Sequence, residues 1–198
     1  MTTRKITGVI LAGGKSKRMG NMNKCLAELW GKPLIEHVLD KLSPQVDEII
    51  ISTGDGNDKY PAYHFRQIID NTYNDGGPLV GIYSAMLVCN TDYLLVASCD
   101  APYMPNDLGA TMTNRIGKDN TNVCMLSDSK KIYPLPCLLH RELKESLKNY
   151  LDEGNRKVVT WLQQQSASLL NYPDSSTIFT NINTSDDLTR VIDNNDME

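Results

Sequence analysis

The sequence predicts an α/β layered fold around a mostly parallel sheet, and three observations carry that prediction. Short apolar runs recur at Ile6–Leu11, Glu48–Thr53, Gln67–Asp70, Tyr93–Cys99 and Val123–Leu126. Stretches with apolar residues at helical spacing separate most of them. Three of the runs end on residues suited to chemistry: the loop at Gly13 and Gly14, then Asp70, then Asp100. In parallel sheets ligands gather outside the carboxyl ends of the strands. Cations and acids from distant parts of the chain are therefore expected to meet in one crevice.

The first run reads as a buried strand emptying into a tight, side-chain-poor loop. Lys15, Lys17, Arg18 and Lys24 follow the glycines. Glycines let backbone N–H groups approach phosphate oxygens, and Lys and Arg offset their charge, so this stretch suits a polyphosphate. The formal net charge is −4, yet residues 1–27 hold six Lys/Arg and no Asp/Glu, leaving 14 basic against 24 acidic residues in the remainder. A solvated basic face would give the same imbalance; the position of the cations just after a Gly-Gly turn favours the phosphate site. The loop is not a P-loop, because Val9 stands where the first glycine is required. Nor is it the dinucleotide fingerprint, because Lys15 stands two places after Gly13.

Leu26–Trp30 is expected to be a short extended segment before a turn at Gly31 and Lys32. Pro33 suits the first turn of a helix whose apolar face is Leu34, Ile35, Val38, Leu39 and Leu42, and Pro44 ends it. Residues 54–64 and 71–77 read as loops. Pro78–Cys89 has helical periodicity through Leu79, Ile82, Met86 and Leu87. Gly81, in its first turns, allows the backbone to approach a ligand or the sheet, and simple close packing explains it equally well. Asn106–Ile116 is a helix. Lys131–Leu139 is extended, but Pro134 and Pro136 argue for an edge strand or an irregular piece. Arg141–Leu151 is an amphipathic helix ended by Gly154, and Arg156–Gln165 is another helix. Ser168–Asn171 and Ile178–Asn183 are expected strands. Thr184–Asp187 has cap chemistry for a last helix through Val191, with residues 193–198 a frayed acidic tail.

A chain of 198 residues predicts one domain, here spanning 1–198, and 40% hydrophobic with 22% charged residues is the composition of an ordinary globule. No apolar run reaches membrane-spanning length, and the first residues lack an apolar leader, so the expected location is cytoplasmic, with no membrane partner. The negative charge and the confinement of cations to one loop argue against nucleic acid. Five cysteines, an odd number without a C-x-x-C, read as reduced, packed thiols rather than a disulfide frame or zinc site. A lysine beside Cys25 would lower its pKa, but packing is the better explanation of that cysteine.

Phosphate-binding cations together with carboxylates at strand ends suggest Mg²⁺-assisted chemistry on a nucleoside triphosphate. Asp100 is the first choice as metal ligand, because it directly follows the most apolar strand. A lone Asp there would more simply be a turn cap; the glycine loop tips the balance towards metal. Asp70 is weaker, since it precedes Asn71 and could simply shape the loop. No G-x-S-x-G occurs, and no nucleophile–base pair stands out, which favours direct transfer between two bound substrates.

Several motifs appear in order along nearly the whole chain: Leu11-Ala12-Gly13-Gly14 with Ser16, Arg18-Met19-Gly20, Lys24, Gly31-Lys32-Pro33-Leu34 with His37, Asp70, Gly77-Pro78-Leu79-Val80-Gly81, Cys99-Asp100-Ala101-Pro102, Tyr133-Pro134 and Asn181-Ile182-Asn183-Thr184. In these the chain resembles the molybdenum cofactor guanylyltransferases. The resemblance implies a Rossmann-like three-layer nucleotidyltransferase fold and transfer of GMP from Mg-GTP to the terminal phosphate of molybdopterin, releasing pyrophosphate. It implies that Leu11, Ala12, Gly13, Gly14, Ser52, Asp70, Gly77 and Gly81 surround the nucleotide. Arg18 and Lys24 would clamp phosphates, and Asp100 would hold Mg²⁺. Arg156, Asn181 and Asn183 would belong to the acceptor half; turn and helix-cap roles would also account for the two asparagines. Transient contact with other cofactor-pathway proteins or molybdoenzymes would follow. Three positions depart from the family pattern: Asn23 for a usual Asp, Ser52 for a usual Asn, and Asn155 beside Arg156 for an Arg pair. The rival readings are a cytidylyltransferase on the same pterin, against which Leu11-Ala12-Gly13-Gly14 argues, a sugar-phosphate nucleotidyltransferase, and a nucleotide-binding regulator without catalysis.

Overall fold

The structure, a computed structural model, describes residues 5–13, 23–54, 60, 63–70, 72–73, 77–173 and 177–195. Its centre is strand β1, Ile6–Leu11, every residue of which is buried. A small hairpin follows, β2 (Glu28–Leu29) with β3 (Lys32–Pro33), turned by Trp30 and Gly31 at φ 51° and 71°. Two consecutive left-handed residues match the twist of a two-residue hairpin. Helix α1 (Leu34–Leu42) runs into a 3₁₀ turn at Ser43–Gln45, so Pro44 ends the α-helix as expected.

The remaining elements are β4 (Glu48–Ser52), β5 (Arg66–Ile68), α2 (Gly77–Val88), β6 (Tyr93–Ser98), α3 (Leu108–Asp119), β7 (Val123–Ser127), β8 (Ile132–His140), α4 (Lys144–Asp152), α5 (Val158–Gln164), β9 (Ser168–Asn171) and α6 (Ser185–Asn195). Seven strands form one sheet in the order β5-β4-β1-β6-β8-β7-β9. The pairs β4–β5, β1–β4, β1–β6 and β7–β9 are parallel, and β8 runs antiparallel to both of its neighbours. The expected mostly parallel α/β sheet is what forms.

The period-2 alternation of the strands divides the core in two. From β1, Ile6 and Ile10 face a cluster with Ile35 and Leu42 of α1 and Leu108 and Met112 of α3. Val9 and Leu11 face the opposite cluster, with Leu79 and Ile82 of α2, Leu147 of α4 and Trp161 of α5. Helix α2 is buried continuously from Leu79 to Met86, as a helix wedged between sheet and a second helix must be. Helix α6 lays Leu188, Val191 and Ile192 against a separate small cluster of Ala27, Leu29, Leu34 and Ile182.

Three expectations need correction. The proline-bearing run 131–139 is an interior strand, not an edge, and its irregularity at the prolines is the other alternative expected. The prolines are tolerated because neither ladder pairs them. Pairing with β6 stops at Cys137, and the β7 ladder jumps from Met125↔Cys137 to Leu126↔Tyr133, skipping Pro134, Leu135 and Pro136. Ile178–Asn183 is not a strand. Its start is a 3₁₀ turn, Thr177–Phe179, and the segment is held instead by the Ile182 N–H donating to Asp100 O at 2.9 Å and by full burial of Ile182. The last helix continues to Asn195, past its expected end at Val191 and into the stretch expected to fray.

Candidate functional site

The parallel ladder brings the ends of β1, β4 and β6 side by side, and the chain leaving them is stitched backbone to backbone. Ala12 N–H donates to Ser52 O at 2.8 Å, Cys99 N–H to Leu11 O at 3.2 Å, and Asp70 N–H to Gly54 O at 2.7 Å. Gly13 is required by closeness: a Cβ there would lie 2.4 Å from Gly54 Cα. Two loops touch backbone to backbone at that point, which only glycine permits. Gly14 and Arg18 lie outside the described residues.

At the end of β4, the Ser52 hydroxyl donates to the Asp70 carboxylate, 2.8 and 3.0 Å from its two oxygens. Ser84 of α2 donates to the same carboxylate. Burial raises the Asp70 pKa above its ordinary 3.8, and the two serine hydrogen bonds pull against that rise without cancelling it. Gly81 lies directly beneath: a Cβ on it would come within 2.5 Å of Ser52 Oγ and 3.1 Å of Asp70 Oδ2. Close packing against the sheet ends accounts for Gly81, whose neighbours are Ser52, Leu11 and Asp70. Gly77, at φ 58° where α2 begins, is a glycine for its left-handed backbone rather than for space.

At the end of β6, Asp100 is held from both sides. Its Oδ1 accepts from the Ser98 hydroxyl and its Oδ2 from the Lys24 ammonium, an ion pair with both side chains about five-sixths buried. The same ammonium donates to Asn183 Oδ1 at 2.7 Å. Lys24 is aimed by the turn that carries it. Asn23 caps this 3₁₀ turn (Lys24–Leu26), its Oδ1 accepting from Cys25 N–H at 3.0 Å, while its Nδ2 donates to Tyr60 Oη at 3.0 Å. Tyr60 is buried and donates to Ala12 O at 2.9 Å. So Asn23 performs the capping expected of an Asp, without the charge, and a tyrosine that no motif signalled ties the Lys24 turn to the glycine loop.

Cys25 and Cys99 form a disulfide across 74 residues of sequence, with Cα atoms 5.4 Å apart. This corrects the expectation of reduced thiols throughout: Cys89, Cys124 and Cys137 are free and buried, but the other two are bonded. An odd count and the lack of a C-x-x-C say nothing about two cysteines that the sheet brings together. The bond joins the residue after Lys24 to the residue before Asp100.

Beyond Asp100 opens a cavity of about 600 Å³. Its lining includes Ser98, Asp100, Asn181 and Asn183, the Tyr133–Leu135 stretch that leaves β6, and Phe179. Tyr133 and Phe179 stack at 3.8 Å with 12° between their planes. Arg156 is not brought here. Its guanidinium donates to Leu151 O at 2.9 Å and to Asn155 O at 2.7 Å, and lies 5.5 Å from the Tyr73 ring centroid. A separate cavity of about 540 Å³, lined by residues such as Glu36, Asp40 and Tyr63, shares no lining residue with the first.

Among the described residues no three His, Cys, Asp or Glu side chains converge as a metal cage, and no helix is long and apolar enough to cross a membrane. A single carboxylate facing a cavity suits Mg²⁺, which keeps waters and binds through one or two carboxylates plus substrate phosphates.

Comparison with known proteins gives this geometry its family. The family model for the MobA-like NTP transferase domain matches residues 8–168. The molybdenum cofactor guanylyltransferase of Shewanella sediminis (strain HAW-EB3) is 37% identical over 180 residues, covering 91% of this chain and 92% of that protein. The molybdopterin-guanine dinucleotide biosynthesis protein A of Archaeoglobus fulgidus superposes with a TM-score of 0.75 at 25% identity, covering 97% of this chain and 100% of that one. At 13% identity the 4-diphosphocytidyl-2C-methyl-D-erythritol synthase of Anaerococcus prevotii still shares the fold, with a TM-score of 0.74 over 98% of this chain and 99% of its own. The chain belongs to the MobA-like NTP transferases and, among them, to the molybdenum cofactor guanylyltransferases.

Proposed function

We propose that the protein transfers GMP from Mg-GTP to the terminal phosphate of molybdopterin, forming the guanine dinucleotide of the molybdenum cofactor and pyrophosphate. The observation that carries this reading is the position of the Lys24 ammonium, bonded at once to Asp100 and to Asn183. A cation from the glycine-loop side, a carboxylate at a strand end and an amide of the Asp100 cavity thus lie within one hydrogen bond of each other.

The donor nucleotide occupies the strand-end face from Leu11 to Asp70. The Asp70 carboxylate offers two acceptors, matched to the N1–H and 2-amino donors of guanine; cytosine has no such pair. Ser52, whose hydroxyl hydrogen is committed to Asp70, orients that carboxylate rather than reading the base itself. Leu11, Ala12 and Gly13 line the nucleotide, with Gly14 and Arg18 completing the phosphate loop.

Asp100 would hold Mg²⁺, which would neutralise phosphate charge. Lys24 is paired with Asp100. With the triphosphate in place the ammonium turns to the α-phosphate, where charge develops. An oxygen of the acceptor phosphate bonds to the α-phosphorus as the α–β bridging bond breaks, and pyrophosphate leaves with the electron pair. A phosphate monoester is largely ionised at neutral pH, so no general base is needed, and positioning does most of the work. Asn181 and Asn183 orient the acceptor in the cavity. The Arg156 guanidinium, spent on backbone carbonyls and Tyr73, serves the loop between α4 and α5.

The direct test is pyrophosphate release by the purified protein with Mg²⁺ and molybdopterin, comparing GTP with CTP. Release with GTP alone supports the reading. Release with CTP overturns the base assignment, and silence with both overturns the transfer itself.

A further inference from the structure

The charges around the cavity do not complete the acceptor site. Lys24 and Asp100 neutralise each other, and Asn181, Asn183, Ser98 and Thr180 are uncharged. An acceptor phosphate carries nearly two negative charges at neutral pH and must come beside an equally anionic triphosphate. Among the described residues that line the cavity, one further cation remains, Lys131.

Lys131 is held in place at both ends. Its backbone N–H donates to Asp128 Oδ1 at 2.8 Å, and that of Lys130 to the same oxygen at 2.7 Å, which fixes the turn entering β8. Its ammonium lies over the Tyr133 ring, 4.6 Å from the centroid. Tyr133 is itself anchored, its hydroxyl donating to Asp128 Oδ2 at 2.6 Å and its ring stacked on Phe179. Asp128 is thus hydrogen-bonded to Tyr133 and two backbone N–H groups, and it attracts Lys131 by charge without a hydrogen bond to its ammonium. An ammonium resting on an aromatic face is attracted to it, yet the ring accepts no localised hydrogen bond and is readily exchanged for a phosphate oxygen. The skipped ladder at Pro134–Pro136 is what opens the space between this lysine and Asp100.

We infer that Lys131 is the acceptor-side phosphate clamp: its ammonium leaves the Tyr133 face to bind the terminal phosphate of the pterin and hold it in line with the nucleotide. This rests on the transfer reading above, but binding tests it separately. The experiment is fluorescence titration of molybdopterin and of its dephosphorylated form onto the wild-type chain, Lys131→Gln and Lys131→Arg, with GTP affinity measured in parallel. The wild type is expected to prefer the phosphorylated pterin about tenfold or more, the scale of one charge-assisted hydrogen bond. Lys131→Gln should lose that preference, Lys131→Arg should keep most of it, and GTP affinity should be the same in all three. If Lys131→Gln keeps the preference, the inference is wrong. It is equally wrong if GTP affinity falls in step, since Lys131 would then serve the nucleotide half or the fold. If the wild type binds neither pterin form, clamp and transfer reading fall together. If binding behaves as expected but no chain releases pyrophosphate, the clamp stands and the transfer reading falls.

Discussion

The two halves proposed for the site, one for the nucleotide and one for the acceptor, are built by different means. The nucleotide half sits on parallel strand ends and is made largely of backbone, glycines and short side chains: Ala12 bonded to Ser52 O, Gly13 against Gly54, Ser52 and Asp70 above Gly81. The acceptor half forms where the sheet departs from regularity. There β8 runs antiparallel, skips its ladder at two prolines, and faces a 3₁₀ turn and an irregular stretch pinned by Ile182. Regular strand ends supply a rigid surface for a ligand common to many transferases. The irregular half leaves a cavity lined by large side chains, Tyr133 and Phe179 among them, where one particular acceptor can be recognised. Lys24, Asp100 and their neighbouring disulfide form the seam between the halves.

Substitutions at the seam should damage both halves and give the largest effects. Asp100→Ala is expected to remove turnover by on the order of a thousandfold, and Lys24→Ala to lower kcat by about a hundredfold, the range seen when a charge-stabilising group is lost from a transition state. Near-normal pyrophosphate release by either variant would mean that the seam is misassigned.

Asp70 should act on the nucleotide half alone. Asp70→Asn is expected to lower the preference for GTP over CTP by roughly ten- to a hundredfold, as loss of paired hydrogen bonds to a base edge implies, with the acceptor KM unmoved. The pH dependence has a definite sign. Burial raises this carboxyl's pKa in the folded chain, so folding disfavours its ionised form. At neutral pH the ionised Asp70 therefore subtracts from stability, and that loss is relieved as pH falls through the raised pKa. Asp70→Asn should melt slightly higher than wild type at neutral pH, with the gain shrinking in acid. Over the same acid range the wild-type KM for GTP should rise, because a protonated carboxyl surrenders one acceptor. A melting point lower than wild type at pH 7 would show that Asp70 stabilises the loop instead.

On the other side, Phe179→Ala removes the ring that stacks on Tyr133. The acceptor KM should rise several-fold with the KM for GTP unchanged, since a stacked aromatic pair contributes about 0.5–1.5 kcal/mol. Equal rises in both constants would dissolve the distinction between the halves. The smallest effect is analytical. Thiol titration of the denatured, unreduced chain should find three reactive cysteines, rising to five on reduction; five before reduction would remove the covalent link from the seam.

Much of this was legible without coordinates because it depends on local pattern. The apolar run Ile6–Leu11 followed by glycines, the helical spacing of Leu34–Leu42, and carboxylates just after apolar strands each follow from the short-range geometry of strands and helices. The expectation that Asp70 and Asp100 face one crevice has the same basis: parallel strands present their carboxyl ends on one side. The rest depends on which distant residues come to lie together. Two prolines argued for an edge, and the interior place of β8 came from its pairing with β6 and β7. Ile178–Asn183 reads as a strand, yet a buried Ile182 and one bond to Asp100 hold it as an irregular strap. Tyr60 has no motif, Cys25 and Cys99 no telling spacing, and Lys131 no signal beyond being one more lysine. Their partners lie tens of residues away or across a loop, and a linear pattern records periodicity but not the long-range contacts that burial and chain closure select.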